Sequence, residues 1–400
     1  MAPCRPMWHV FYLSVLSVLI FRRSDEFLTF LIGVIPPNIA EAFTESSTPY
    51  WGPDLDCELL GDIPTTDFAT LPSNSHNASK TSTTPSPIVY LKRFYKRFSD
   101  RVTPGHIAYI NDPLRTFSIL EPGRRGGCQD NVRASVIDSA KQRKCLLAIN
   151  AGFFWASTGG CYGNVVSDGR FVQTEKDERY QNAHFGIRSD GSFVFGYLTK
   201  EDIANETNPF TQLVTGVGWI VRDGKLNIEE TKQIECNDTA INVYSINRLF
   251  NSISARTAIA SDRHGRLMIV QIDGRTDLTG VTLPEFAEFL IKHGAVNAVN
   301  LDGGGSSTLV YKGVVINYPT DVCVESDFTC SRPVAHIACV HEPNCSSSAD
   351  CRNEHARCIA GECHYDCAID DNHCHHKESI AELQHKTPHD WVDLNYFNPN

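Results

Sequence analysis

The chain has 400 residues, 42% of them apolar and 10% aromatic, which is enough for one large domain with smaller attachments. A net charge of −11, without a basic patch interleaved with aromatics, speaks against a nucleic-acid partner. Fifteen cysteines exclude an ordinary cytosolic enzyme and, with sequons at Asn77, Asn205, Asn237 and Asn344, fit the secretory pathway.

Residues 1–42 read as a targeting segment. The apolar run Trp8–Phe21 is broken by RRSDE, and a second run, Phe27–Ile35, leads into two prolines and the small-residue pattern Ala40-Glu41-Ala42. Neither run reaches the roughly 20 residues of a membrane span; an anchor through the first run is the competing reading. No later stretch offers a span, so the mature protein is expected to be lumenal or secreted. Loss of Cys4 with this segment leaves fourteen cysteines, an even number suited to complete pairing.

Residues 43–87 are rich in Ser, Thr, Pro and Asn and read as a linker or propeptide, with Cys57 available to tie it to the body. The basic cluster Leu91–Phe98 reads as an amphipathic first strand or helix, with a processing site as the alternative. From 88 to 341 short apolar runs flank tight-turn pairs, as in Phe185–Gly196, Gly218–Ile228, Arg256–Gly274 and Ser307–Ile316, which predict hairpins. Helical spacing predicts a helix over Asp130–Lys144. A second is predicted over Thr282–His293, with a T-x-x-E capping box, Pro284 in the first turn and Gly294 at its end. The predicted class is α+β: a mixed, largely antiparallel sheet core with a few covering helices.

After His341 six cysteines fall between Cys345 and Cys374. The opening spacing C-x5-C-x6-C-x4-C resembles half of an EGF-like module, so residues 342–374 read as a small disulfide-rich segment and 375–400 as a disordered tail. Zinc binding by the nearby His364, His373, His375 and His376 is the lesser alternative in an oxidising compartment.

Candidate chemistry gathers at the ends of apolar runs. AVNAVNLDGGGSSTLVY places Asp302 at a strand end, followed by Gly303, Gly304, Gly305 and Ser306, a turn that lets backbone approach a ligand closely. CLLAINAGFF ends at Asn150 before Gly152, Arg256 opens a strand, and Asp273 closes the strand paired with it. His106 reads as a general acid/base or a buried structural histidine, and Arg332 precedes the last strand of the body. An arginine fork suits the non-bridging oxygens of a phosphodiester. Singly, each of these residues is as well explained by a turn, a salt bridge or a core role. No G-x-S-x-G, H-E-x-x-H, Walker loop or Rossmann fingerprint occurs, and neither a metal nor a cofactor is expected.

Taken in order, PGHIA, PLRTFSILEPG, NAGFF, GNVVSDGR, QNAHFGIR, NPFTQLVTGVGWIVRDG, ISARTAIA, IDGRT, NLDGGGSSTLV and RPVAHIACVHEP resemble the phosphodiester glycosidase family, from about Cys57 to Cys363. The resemblance implies removal of N-acetylglucosamine from a GlcNAc-α-1-phospho-6-mannose diester. The implied partners are phosphorylated high-mannose glycans of lysosomal hydrolases, met in the trans-Golgi or after secretion; assembly into a homo-oligomer stays open. It implies one cavity lined by His106, Asn150, Gly152, Asn182, Arg256, Thr257, Asp273, Asp302, Gly303, Gly304, Ser306 and Arg332. Arg256, Arg332 and glycine-turn N–H groups would hold phosphate, while Asp302 or Asp273 would stabilise an oxocarbenium-like sugar, attack it or activate water. It also implies the disulfides Cys128–Cys161, Cys145–Cys339, Cys323–Cys330 and Cys57–Cys236. Family members carry a complete EGF-like region, a membrane span and a cytosolic tail, whereas this sequence stops after half a module. Two other readings compete: a non-catalytic secreted protein that keeps the cavity to bind glycan or phosphate, and an adhesion or matrix protein, which explains only the cysteine-rich end.

Overall fold

The computed structural model describes residues 67–73, 88–174, 181–235, 245–322, 329–345, 347, 356–359 and 362–365. The targeting segment, Cys57, Cys236, Cys323, Asn77, Asn237 and the tail histidines 373, 375 and 376 lie outside the described residues. Three sheets dominate. A seven-stranded sheet runs in spatial order Lys225–Leu226, Trp219–Arg222, Ala295–Leu301, Arg256–Asp262, Leu267–Ile272, Arg101–Ile110 and Val89–Phe98. A six-stranded sheet begins with Asp67–Leu71 and Phe193–Tyr197, and a five-stranded sheet contains Leu147–Asn150 beside Ile337–Val340. Every strand pairing among the described residues is antiparallel, so the expected mixture of directions is not found there.

The four predicted hairpins form. Asp223-Gly224 and Lys312-Gly313 both take positive φ at the two turn positions, as a two-residue hairpin loop requires. The basic cluster is a strand: Val89–Phe98 pairs along its whole length with Arg101–Ile110 and forms the sheet edge. Two expectations shift. The Asp130–Lys144 helix shrinks to Val136–Ala140 plus a 3-10 turn, because Cys128 is held in a disulfide and Ala134 bridges Val334, which draws the preceding residues into turns. Asp67–Leu71, within the stretch that composition assigns to a linker, is an edge strand on Phe193–Tyr197, and its Asp67 forms a two-pronged ion pair with Arg222.

The Cys128–Cys161 and Cys145–Cys339 disulfides are present, and Cys330 is disulfide-bonded. A further bond joins Cys345 to Cys358, next to the short hairpin Ala356–Ile359 and Glu362–Tyr365. Asn205 and Asn344 are exposed. No helix among the described residues is long and apolar enough to cross a membrane.

The helix Leu283–Lys292 sets the position of the site. Thr282 accepts from the Glu285 N–H while Glu285 reaches back to Thr282, and Phe286, Phe289 and Leu290 are buried in the core. Gly294, at φ +91°, ends the helix in a conformation that a Cβ would strain. The chain then enters Ala295–Leu301, an interior strand flanked by Trp219–Arg222 and Arg256–Asp262. Replacing Thr282 by Ala removes the capping box; we expect about 1 kcal/mol less stability and a melting temperature lower by about 2–4 °C by circular dichroism, with Thr282→Ser close to wild type.

Candidate active site

At the exit of that interior strand lies a cavity of about 320 Å³ whose wall includes Asn300, Leu301, Asp302 and all three glycines of the turn. Asp302 is fixed through its backbone: its N–H donates to the Ala151 carbonyl at 3.0 Å, and its carbonyl accepts from Asn150 Nδ2 at 2.5 Å. Its carboxyl accepts from the Ser306 hydroxyl and the Gly303 N–H. Burial pushes this carboxyl up to about 6; the Ser306 hydrogen bond, the Arg332 charge and the Gly303 N–H pull it partly back.

The glycine turn packs too closely for side chains. A Cβ on Gly303 would sit 2.5 Å from the Ala255 carbonyl oxygen, and one on Gly305 2.6 Å from Arg332 Nη2. Gly304 has φ +53° and donates its N–H to Ala255 at 2.9 Å. The Gly303 and Gly304 N–H groups are thus bound within the protein.

The cations of the cavity are guanidinium groups. Arg256 is buried, with Nε donating to the Val281 carbonyl at 3.1 Å and Nη2 donating to the carbonyls of Leu249 (2.9 Å) and Ser252 (2.5 Å). Burial lowers its pKa to about 10, which still leaves it charged at neutral pH. Its Nη1 has no protein partner among the described residues. Arg332 forks onto Asp321 at 3.0 and 2.8 Å and donates from Nη1 to Ser306 Oγ at 3.3 Å. Arg133, exposed at the rim, lies 5.2 Å from the centre of the Phe154 ring. Three guanidiniums, of Arg133, Arg256 and Arg332, line the cavity with one carboxylate, Asp302, so the cavity favours an anion. Phe153, Phe154, Leu249 and Leu301 supply an apolar wall.

Of the residues expected in the site, Asp302, Gly303, Gly304, Arg256 and Arg332 line the cavity, and Ser306 lies directly behind Asp302. Asn150, Thr257, His106 and Asp273 are not on its wall. They form a buried polar chain instead. Asn150 Oδ1 accepts from Thr308 N–H at 3.1 Å and faces Thr257 Oγ1 at 3.5 Å; Thr257 reaches Ser307, Ser307 reaches Gln271, and Gln271 joins Asp273 (2.7 Å) to His106 (3.0 Å). Burial pushes His106 down to about 4, so it is neutral here. Burial pushes the Asp273 carboxyl up, against hydrogen bonds from the Tyr318 N–H, Gln271 and Asn317. These two residues therefore stand behind the site, not on its wall as expected. Gly152 is a packing requirement: a Cβ there would lie 2.5 Å from the Thr215 carbonyl oxygen and 2.8 Å from His336 Nε2. Asn182 joins Tyr162 to Glu235, away from the cavity wall.

Sequence reasoning did not single out Arg133, Ser254, Thr276, Asn300 or Asp321. Asn300 was within reach, since it precedes Asp302 by two residues in a strand and shares its face. Arg133 and Asp321 carry no local signal, because their neighbours arrive from distant parts of the chain.

The family model for phosphodiester glycosidase matches residues 143–341. A solved zebrafish structure, titled as the catalytic domain of N-acetylglucosamine-1-phosphodiester alpha-N-acetylglucosaminidase auto-inhibited by pro-peptide, is similar with a TM-score of 0.64 at 41% identity, covering 70% of this chain and 89% of that one. The chain belongs to the phosphodiester glycosidase family. The enzymes named N-acetylglucosamine-1-phosphodiester alpha-N-acetylglucosaminidase from Bos taurus and Mus musculus are 46% and 45% identical to it, over 68% and 74% of this chain. The chain spans about half the length of these curated relatives, 51% and 54%.

The raised Asp302 carboxyl has a consequence for stability. Between its usual 3.8 and about 6, the folded chain holds a proton that the unfolded chain releases, so stability falls as pH rises through that window. The cost above pH 6 is about 2–3 kcal/mol. Asp302→Asn should therefore melt higher than wild type at pH 7 and nearly level with it at pH 4.

Proposed function

We propose that the chain hydrolyses a GlcNAc-α-1-phospho-6-mannose diester and exposes mannose 6-phosphate on high-mannose glycans of lysosomal hydrolases. The observation that carries this reading is one carboxylate, Asp302, sharing a single-sugar-sized cavity with the buried Arg256 and with Arg332. The names of the relatives at 41–46% identity support it. Disulfides within the fold suit an oxidising lumen, in the trans-Golgi or after secretion. A bond from the first to the third cysteine of the C-terminal segment supports a compact, EGF-like beginning there.

In this mechanism the diester's phosphate sits against Arg256 and Arg332, and the sugar packs on the Phe153–Phe154 wall. Asp302 takes a proton from water as the water oxygen bonds to C1. The C1–oxygen bond to phosphate breaks, and its electron pair leaves with the mannose phosphate monoester. The guanidiniums hold the charge that develops on the phosphate, so no acid is needed on the leaving group. A carboxylate with its pKa near 6 is a stronger base than an ordinary aspartate and remains ionised at neutral pH. Direct displacement by water inverts the anomeric centre.

Incubation of the protein with the diester should release GlcNAc and a phosphomonoester in equal amounts, with the β-anomer appearing first by proton NMR. The value of kcat/KM should climb as pH rises through about 6 and then level off. Asp302→Asn should lower kcat by about 10³-fold with the fold intact. A folded wild-type protein that binds the diester without releasing GlcNAc would instead support the non-catalytic binding protein. An α-anomer as first product would remove the direct-displacement step.

A further inference from the structure

The cavity has room for one sugar and its phosphate, at the low end of ligand pockets (about 300–1,000 Å³), so the rest of any glycan lies outside it. Two segments run outward from its edge. In one, Asp321 forks Arg332 at the cavity, Thr320 donates to the Gly274 carbonyl at 2.8 Å, and the Tyr318 N–H donates to Asp273 at 3.1 Å. In the other, Gly274 leads within two residues to Thr276 on the cavity wall and then to Leu278. These segments expose three large apolar side chains, Tyr318 (56%), Leu278 (62%) and Val322 (66%). The three chain steps from Tyr318 to Asp321 span at most about 10 Å, the length of one or two sugar rings.

Tyr318 is held although its side chain is exposed. Arg93 donates from Nη2 to its hydroxyl at 3.2 Å, and the same guanidinium lies 5.7 Å from the Tyr318 ring centre and 5.2 Å from that of Tyr95, itself 49% exposed. One arginine thus contacts two exposed aromatic rings, and Tyr318 stands three residues along the chain from Asp321, the partner of the cavity-lining Arg332. Flat rings stack on the C–H faces of hexopyranoses, and the guanidinium supplies donors for their hydroxyls. Exposed apolar and aromatic surface near a pocket is a feature of binding sites. We infer that the Tyr318–Arg93–Tyr95 platform is a subsite for mannosyl residues of the glycan attached through the phosphate, on the leaving-group side of the cavity. The assignment rests on the proposed function for the identity of its ligand.

The test compares two diesters, GlcNAc-α-1-phospho-6-mannose as its methyl glycoside and the same group on an oligomannose chain, with wild type, Tyr318→Ala and Tyr318→Phe. The Ala variant keeps the backbone N–H bond to Asp273, and a melting curve checks its fold. Loss of one stacking contact should raise KM for the oligomannose diester by about 3- to 10-fold, with kcat unchanged and the methyl glycoside unaffected. Tyr318→Phe should behave as wild type. Equal changes on both diesters, or none on the oligomannose, would overturn the subsite; so would an effect seen only on a glycoprotein, which would point to protein–protein docking. A second measurement separates this inference from the enzymatic reading. Neutral oligomannose should show saturation-transfer NMR signals with wild type that vanish with Tyr318→Ala. If those signals appear while no diester is cleaved, the enzymatic reading fails and the subsite stands. If diester is cleaved and the signals are absent, only the subsite fails.

Discussion

Arg256 places a positive charge inside the protein with no carboxylate paired to it among the described residues. Its Nε and Nη2 are satisfied by the carbonyls of Val281, Leu249 and Ser252, which fix the group in position without neutralising it. A buried charge held only by dipoles is costly, and burial accordingly lowers its pKa to about 10. Arg256 lines the cavity, so an anionic ligand there relieves what the protein leaves unbalanced. The strands, the glycine turn and the Arg332–Asp321 pair are arranged around that unbalanced charge. Arg332, by contrast, is already matched by Asp321 and contributes geometry more than net field.

Asp302 is the counterpart, and its behaviour follows from what stands behind it. Asn150 anchors its carbonyl and Ala151 its N–H, while Ser306 and Gly303 address the carboxyl itself. The buried chain from Asn150 through Thr257, Ser307 and Gln271 to Asp273 and His106 underlies this arrangement with fixed donors and acceptors. Such a network adds rigidity where it is satisfied. It also explains why residues that look chemical in the sequence need not touch a ligand: Asp273, just past the end of one buried strand, and His106, inside the neighbouring strand, are buried polar groups that must hydrogen-bond there. The site thus combines a carboxylate that weakens the folded state when ionised with a cation that weakens it when unpaired, a pattern familiar where function opposes stability.

Much of the local structure was legible in the sequence because it is set by short-range physics. The capping box at Thr282 and Glu285, the turn glycines at 224 and 313 and the strand leading to Asp302 each depend on neighbours within a few residues. The exceptions are informative. Asp130–Lys144 has helical spacing, yet its first part is pulled away by the Cys128 disulfide and by the bridge to Val334, about two hundred residues along the chain. Asp67–Leu71 has linker composition, yet an open edge on Phe193–Tyr197 recruits it as a strand. In both cases a distant partner outweighed a weak local preference.

The sequence by itself determined the hairpins, the main helix, the abundance of cysteines for disulfides and a motif order specific enough to imply the family. It also marked Asp302, Arg256, Arg332 and the glycine turn as residues of interest. Only the tertiary structure decided which polar residues face the cavity and which stand behind it. Asn150, Thr257 and Asp273 sit within a residue of strand ends as Asp302 and Arg256 do, His106 lies inside a strand, and local sequence does not tell which of them faces a ligand. Which side of a sheet end opens to solvent is set by how the sheets pack and by which loops cross above them, here loops carrying Arg133, Thr276 and Asp321 from three separate parts of the chain. Burial, and with it the proton affinity of Asp302 and the charge imbalance at Arg256, is a property of that packing and has no signature at either residue's own position.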